Sequence, residues 1–209
     1  MRNNDLDKLF ALAGEAKREA TWQGFADYLE QHGKGIRKKA LVTLNRFIDD
    51  AVLWTFTERL RFSLWLLNAL NNDALVQPLK ERLVIPTLRE WKDREPLQAE
   101  PYLWLGLLGI DQMFHIRRAL ELDPKCQRAR AKLCEWVTGH ISYNQHELPS
   151  FYIHDPRVDL LDLAEAEALC VGYEETDWAI WTLAEIKEQR ELAEAWLRNH
   201  PRLGDFASH

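Results

Sequence analysis

Between Ile36 and Leu70 the chain runs for 35 residues without a glycine or a proline, and its apolar residues recur every three or four positions. That spacing places them on one face of a helix. Leu41, Leu44, Ile48 and Ala51 form one stripe; Leu53, Phe56, Leu60, Leu64 and Leu67 form a second. Carried onward, the first stripe would meet Glu58 and Arg61. The apolar face therefore shifts, which predicts two helices broken near residues 49–55 rather than one rod. The same period governs the rest of the chain. Leu6, Leu9, Phe10 and Ala13 make a first stripe, and Trp22, Phe25, Tyr28 and Leu29 another, closed by Gly33 and Gly35 as C-cap residues. No stretch alternates apolar and polar residues long enough for a half-buried strand. The chain reads as all-α, an irregular stack of antiparallel hairpins with about nine to eleven helices.

Helix ends are marked by their own chemistry. Asn71-Asn72-Asp73 signals a turn. A helix from about Leu75 meets Pro86, whose ring and missing N–H should kink or end it. Thr87-Leu88-Arg89-Glu90 then reads as a capping box that restarts it. Pro96 and Pro101 bracket a short linker. Asp123-Pro124 and Asp155-Pro156 each offer an acceptor N-cap with proline at the first helical position. Asp177 is expected to cap a helix from Trp178 to about Asn199 that stops before Pro201, and Gly172 to end the helix before it. Residues 139–155 are expected to be the one long irregular connection. Residues 1–209 read as a single all-α domain, with a helical N-terminal half, 1–95, packed on a C-terminal half, 99–209.

A hydrophobic fraction of 46% is too high for disorder. The net charge of −6 argues against a protein built to coat nucleic acid or an anionic membrane. The charge is uneven: residues 1–104 carry a net +1, residues 105–146 a net +2, and residues 147–209 a net −9. Three cysteines, Cys126, Cys134 and Cys170, make no disulfide framework. The N-terminal residues lack the apolar core of a secretory signal. The longest near-apolar stretch, from Phe62 to Leu70, falls short of the roughly 20 residues a membrane span needs. A soluble, cytoplasmic protein is expected.

One segment carries a repeat signature. Ala99-Glu100-Pro101-Tyr102-Leu103-Trp104-Leu105-Gly106 is followed by Arg118-Ala119-Leu120-Glu121-Leu122-Asp123-Pro124. The first part resembles the opening helix of a tetratricopeptide repeat, with Tyr102, Leu105 and Gly106 at the large, Leu and small positions. The second resembles that repeat's closing A-L-E-L-D-P. A small residue lets the two helices of a hairpin approach closely. Ala129-Arg130-Ala131-Lys132-Leu133-Cys134 falls where the next repeat would begin, with Leu133 and Cys134 at the Leu and small positions. From Gly106 to Pro124 is 18 residues, where the 34-residue pattern needs about 24. The resemblance, over residues 99–138, implies a degenerate tetratricopeptide-like stack in the C-terminal half. It implies no carboxylate clamp, since no matching set of Lys, Asn and Arg is present. An ordinary helical bundle is the other reading.

Candidate sites are few. His140, His146, Glu147 and His154, with Asp155 and Asp159, offer the imidazoles and carboxylates of a metal or acid–base site. Their spacing matches no local pattern, and His146-Glu147 lacks the second His of an H-E-x-x-H helix. Cys126 and Cys134 lie near Lys125, Arg128 and Arg130, but without a C-x-x-C pair they read as small buried hydrophobes. No phosphate-binding glycine loop and no G-x-S-x-G elbow is present. Lys34, Arg37, Lys38 and Lys39, and later Arg117, Arg118, Arg128 and Lys132, read as solvated helix faces that could touch an anion. Trp178 and Trp181 stand three apart beside Glu174, Glu175, Asp177 and Glu185. As core packing they would fill gaps between hairpins; exposed, they would be aromatic anchors in an acidic rim.

These readings converge on a non-catalytic protein–protein interaction module, needing no metal and no cofactor, that binds a protein partner through Trp178, Trp181, Glu174, Glu175, Asp177 and Glu185. A sharper form is an immunity or inhibitor protein for a basic partner, held by long-range attraction and buried Trp. The alternatives are a metal-binding protein or hydrolase using His140, His146, Glu147 and His154, and a scaffold or chaperone domain. Nine Trp in a chain this size also leave room for a homodimer.

Overall fold

The computed structural model describes residues 3–69 and 75–200. Among them are ten helices and no strand. The expected turn at Asn71-Asn72-Asp73 and the stop at Pro201 lie outside the described residues. No described helix is long and apolar enough to cross a membrane. The chain divides into two compact units, Met1–Leu97 and Gln98–His209.

The first unit holds α1 (Asn3–Ala16), a 3-10 turn (Ala20–Trp22), α2 (Gln23–Gly33), α3 (Arg37–Ala51), α4 (Phe56–Ala69) and α5, residues 77–94. Its core is aromatic. Phe25 meets Phe62 edge-on at 5.3 Å, Phe47 lies 5.1 Å from Phe62, and Trp22 lies 4.8 Å from Trp65. Such ring pairs stabilise beyond the area they bury, by about 0.5–1.5 kcal/mol each. The stripe of Trp22, in the 3-10 turn, with Phe25, Tyr28 and Leu29 of α2 is wholly buried. On α3 the expected stripe holds at Leu44, Ile48 and Ala51, which are buried, while the α4 stripe is rotated, with Leu67 buried but Phe56, Leu60 and Leu64 only partly so. Leu41 is 50% exposed and Leu53 84% exposed, while Ala40, Phe47, Phe62 and Leu66 take the core. On α1, Phe10 is exposed and Leu12 and Ala16 join Ala13 inside.

The break between α3 and α4 falls where the stripe shift places it. Thr55 and Glu58 form a capping box there. The Glu58 N–H donates to Thr55 Oγ1 at 3.3 Å and the Thr55 N–H donates to Glu58 Oε2 at 3.0 Å. At the end of α2 it is Gly35, at φ 75°, that takes the left-handed position, and the Ile36 N–H returns to the Gln31 carbonyl at 2.9 Å.

Pro86 neither ends nor restarts a helix. A π turn, Lys80–Val84, immediately precedes it, and the Ile85 N–H reaches back five residues to the Lys80 carbonyl. The extra residue relieves the clash a proline makes with the preceding turn, so α5 runs through. Thr87 does not cap: its hydroxyl donates to the Leu83 carbonyl at 2.7 Å inside the continuous helix. Glu90 binds Arg59 and Arg94 instead.

The second unit holds α6 (Ala99–Leu107), α7 (Gln112–Leu122), α8 (Gln127–Gln145), α9 (Pro156–Cys170) and α10 (Asp177–Asn199). Consecutive helices pair antiparallel, so α6, α8 and α10 run in one direction. Leu103, Ile116, Leu133, Leu163, Ala166 and Ile186 are among the side chains of its core. Gly106 is where α6 and α7 touch: a Cβ there would lie 2.7 Å from Ile116 Cδ1 and 3.2 Å from the Ile116 nitrogen. The helix starts follow the sequence unevenly. Asp155 caps α9, accepting from the Arg157 N–H at 2.9 Å. Asp123 accepts from the Lys125 N–H at 3.0 Å in a turn, and α8 starts later, at Gln127. Thr176, not Asp177, is the N-cap residue of α10, and its hydroxyl turns back to the Tyr173 carbonyl at 2.7 Å. Gly172, at φ 82°, follows the end of α9 as expected. The long connection is shorter than expected. α8 remains helical through Gly139 to Gln145, leaving 146–155 irregular.

Candidate functional site

A groove of about 630 Å³ lies in the second unit between the parallel helices α8 and α10, with Leu107 of α6 at one end. Arg128, Lys132, Glu135, Gly139 and Ser142 line one wall. These positions recur at three- and four-residue intervals, so α8 turns one face to the groove and another to the core. Trp178, Trp181, Thr182, Glu185 and Gln189 line the other wall by the same rule. A smaller hollow continues the groove past Ser142 and Glu185 to His146, Glu188 and Leu192.

The two walls are tied from beneath by glutamines. Gln145 Nε2 donates to the Gln189 carbonyl at 2.8 Å, and Gln189 Nε2 donates to the Thr138 carbonyl at 2.8 Å. Two buried polar atoms of groove side chains, Trp178 Nε1 and Gln189 Oε1, have no hydrogen-bond partner within the described residues. Leaving such atoms unpaired is costly, about 1–3 kcal/mol each.

The groove is electrically divided. At the α6 end the Arg128 guanidinium lies 4.4 Å from the Trp104 ring centroid, stacked on an indole rather than paired with a carboxylate. Lys132 holds Glu135 at 3.0 Å. Towards the other end stand Glu185 and Glu188, neither in an ion pair among the described residues.

The six residues expected to form an acidic aromatic site are only partly gathered. Trp178 is half-buried against the core. Trp181 is 74% exposed at the rim. Glu185 lines the groove with them. Glu174 sits in the turn before α10, where the Gly172 N–H donates to it at 2.9 Å and holds its carboxyl below the usual range. Glu175 is exposed in the same turn, and Asp177 is exposed in the first turn of α10, where a carboxylate suits the helix dipole.

The histidine segment divides into pairs. His140 stacks on Trp136 at 5.3 Å, and His154 lies 6.3 Å from His140. His146 stacks on Tyr143 and contacts Glu147 at 3.0 Å. No cluster of three His, Cys, Asp or Glu side chains able to hold a metal occurs among the described residues. Behind the segment, Asp159 is fully buried. It accepts from Asn144 Nδ2 at 3.1 Å and from the Tyr152 hydroxyl at 2.8 Å, with His154 Nδ1 at 3.4 Å. Burial pushes the Tyr152 phenol up, so it serves as a donor.

Comparison with family models, curated proteins and solved structures produced no match to this chain. The groove therefore stands on its own chemistry. Sequence reasoning treated Arg128 and Lys132 as one more solvated face and passed over Gly139, Ser142 and Gln189. The usable signal was the spacing 128, 132, 135, 139, 142, a second stripe on α8 distinct from the core stripe 133, 137, 141.

Proposed function

We propose that this chain is a non-catalytic protein–protein interaction module whose second unit receives a segment of a partner between α8 and α10. The observation that carries the reading is Trp181, an indole 74% exposed on the rim of an open groove. Tryptophan supplies more binding energy per residue than almost any side chain when a partner covers it. The tetratricopeptide likeness of residues 99–138 supports the same reading. The groove is lined by α8 and α10 with Leu107 of α6 at one end; α6 and α8 each open a hairpin, and stacked hairpins present binding surfaces in this way. The tight approach at Gly106 also suits that motif's small position.

The sharper form is an immunity or inhibitor protein that blocks a basic partner. The net −9 of residues 147–209 supports it by speeding encounter with such a partner. The test is capture from native extract at low salt with the full chain. Trp181→Ala and Gly139→Trp are expected to abolish retention of a protein that the wild type holds. No retained protein, or capture unchanged by both variants, overturns the reading. A retained second copy of this chain would make the module a homodimer.

A further inference from the structure

The groove's charges specify more than a generic partner. We infer that its occupant is a peptide segment carrying charges of both signs: carboxylates at the end facing Arg128 and Lys132, an apolar or aromatic anchor over Trp178 and Trp181, and a cationic end facing Glu185 and Glu188. The inference rests on the interaction-module reading and makes its ligand specific.

Two observations support it. Arg128 is stacked on Trp104 with no carboxylate partner among the described residues, so its N–H donors are available to an anion. Glu185 and Glu188 stand at the other end with no cation paired to them. A segment carrying cations alone, even from a basic partner, would bring them to Arg128 and to Lys132, which already holds Glu135, and a segment carrying carboxylates alone would bring them to Glu185 and Glu188. Each would meet like charge at one end, and such juxtaposition is the usual means of rejecting wrong partners.

The geometry also sets a length. Arg128 and Ser142, which faces Glu185, lie 14 residues apart on α8. At 1.5 Å per residue that is roughly 21 Å. An extended peptide covers it in about six residues.

The experiment uses the full chain and three labelled synthetic peptides of equal length, read by fluorescence anisotropy at low salt. One has two Asp, then a central Trp and Leu, then two Lys, with the charge clusters about six residues apart. The second replaces Lys by Asp and the third replaces Asp by Lys. The bipolar peptide is expected to bind the wild type at least about fivefold tighter than either other peptide. The double variant Arg128→Glu/Lys132→Glu should come to prefer the all-Lys peptide, and Glu185→Lys/Glu188→Lys the all-Asp peptide. All four positions are exposed or half-exposed, and circular dichroism checks that each variant is folded. An all-Lys or all-Asp peptide that binds the wild type as tightly as the bipolar one overturns the inference and leaves the module reading standing. Binding by none of the three also overturns it, and the extract capture then decides the module reading separately. Variants that fail to exchange preference overturn it as well.

Discussion

Gly106 and Ile116 face each other with no room for a methyl group. A Cβ on Gly106 would stand 2.7 Å from Ile116 Cδ1, and Ile116 is itself fully buried, so its side chain has nowhere to withdraw. The backbone nitrogen of Ile116, 3.2 Å away, forbids relief by a rotamer change alone. Gly106→Ala is expected to destabilise by about 1–3 kcal/mol, although alanine is the better helix former. Urea unfolding measures it. Combining it with Ile116→Val should restore part of the loss, and a neutral or stabilising Gly106→Ala would contradict the packing described.

Gly139 is the opposite case. It is helical, lines the groove, and a Cβ there meets nothing within 4 Å. Gly139→Ala should stabilise by up to about 1 kcal/mol through helix propensity. The same measurement on both glycines separates a packing role from an open one, and a loss at Gly139 would mean the groove floor is closed.

Asp159 holds residues 146–155 against α8 and α9. It is 0% exposed, and its partners Asn144 and Tyr152 come from the helix before it and the connection between them. Asp159→Ala leaves an amide and a phenol unpaired and should cost about 3 kcal/mol. In a double-mutant cycle with Tyr152→Phe the coupling should reach about 1 kcal/mol. Additive losses would show that the two groups do not act together.

Acid stability should report on one inter-helix pair. Arg117 of α7 donates through Nη2 to Glu165 Oε2 of α9 at 2.8 Å and holds that carboxyl below its ordinary 4.5. The folded value is the lower one, so the pair's contribution is complete above 4.5 and lost as pH falls through the lowered value. Both side chains are partly exposed, which keeps the contribution below about 1 kcal/mol at neutral pH. The gap in Tm between wild type and Glu165→Gln should shrink progressively as the pH is lowered below 4.5. A gap that does not shrink there would rule out this carboxylate as its source.

The thiols should differ sharply in reactivity. Burial pushes the Cys134 thiol up to about 12 and raises that of Cys170 as well, and both donate to the Ala166 carbonyl at 3.5 Å. Cys126 is only half-buried. Iodoacetamide is expected to label Cys126 alone in the native protein and all three cysteines in urea, counted by mass spectrometry. Native labelling of Cys134 would show that the contact of α8 and α9 opens readily.

The helical class and the α3–α4 break were legible because they depend on local spacing, and Asp155 was legible because a cap acts on the next turn of its own chain. The face of α4 was less so. Leu64 and Phe62 both fit a helical stripe, and only the partner rings of Phe25 and Phe47 decide which goes fully inside. Asp123 and Thr87 show the same limit: each side chain had two local acceptors or donors within reach, and tertiary packing chose. The groove was least legible. Trp181 and Glu185 line one groove with Arg128, Lys132 and Ser142 only because α8 and α10, separated in sequence by α9, pack directly side by side, an arrangement that no spacing within either helix encodes.

The π turn before Pro86 makes α5 a helix with one residue more than its buried faces require. Elsewhere in that helix, removing a residue would swing everything beyond it by about 100°. Within 80–84 the loss would close the wide turn and leave Leu79, on one side, and Leu88 and Trp91, on the other, facing as they do now. It would also return Pro86 to a regular turn that has no space for its ring. The surplus residue and the proline are thus a single unit of change: the helix can be shortened at this point only by a chain that gives up both together.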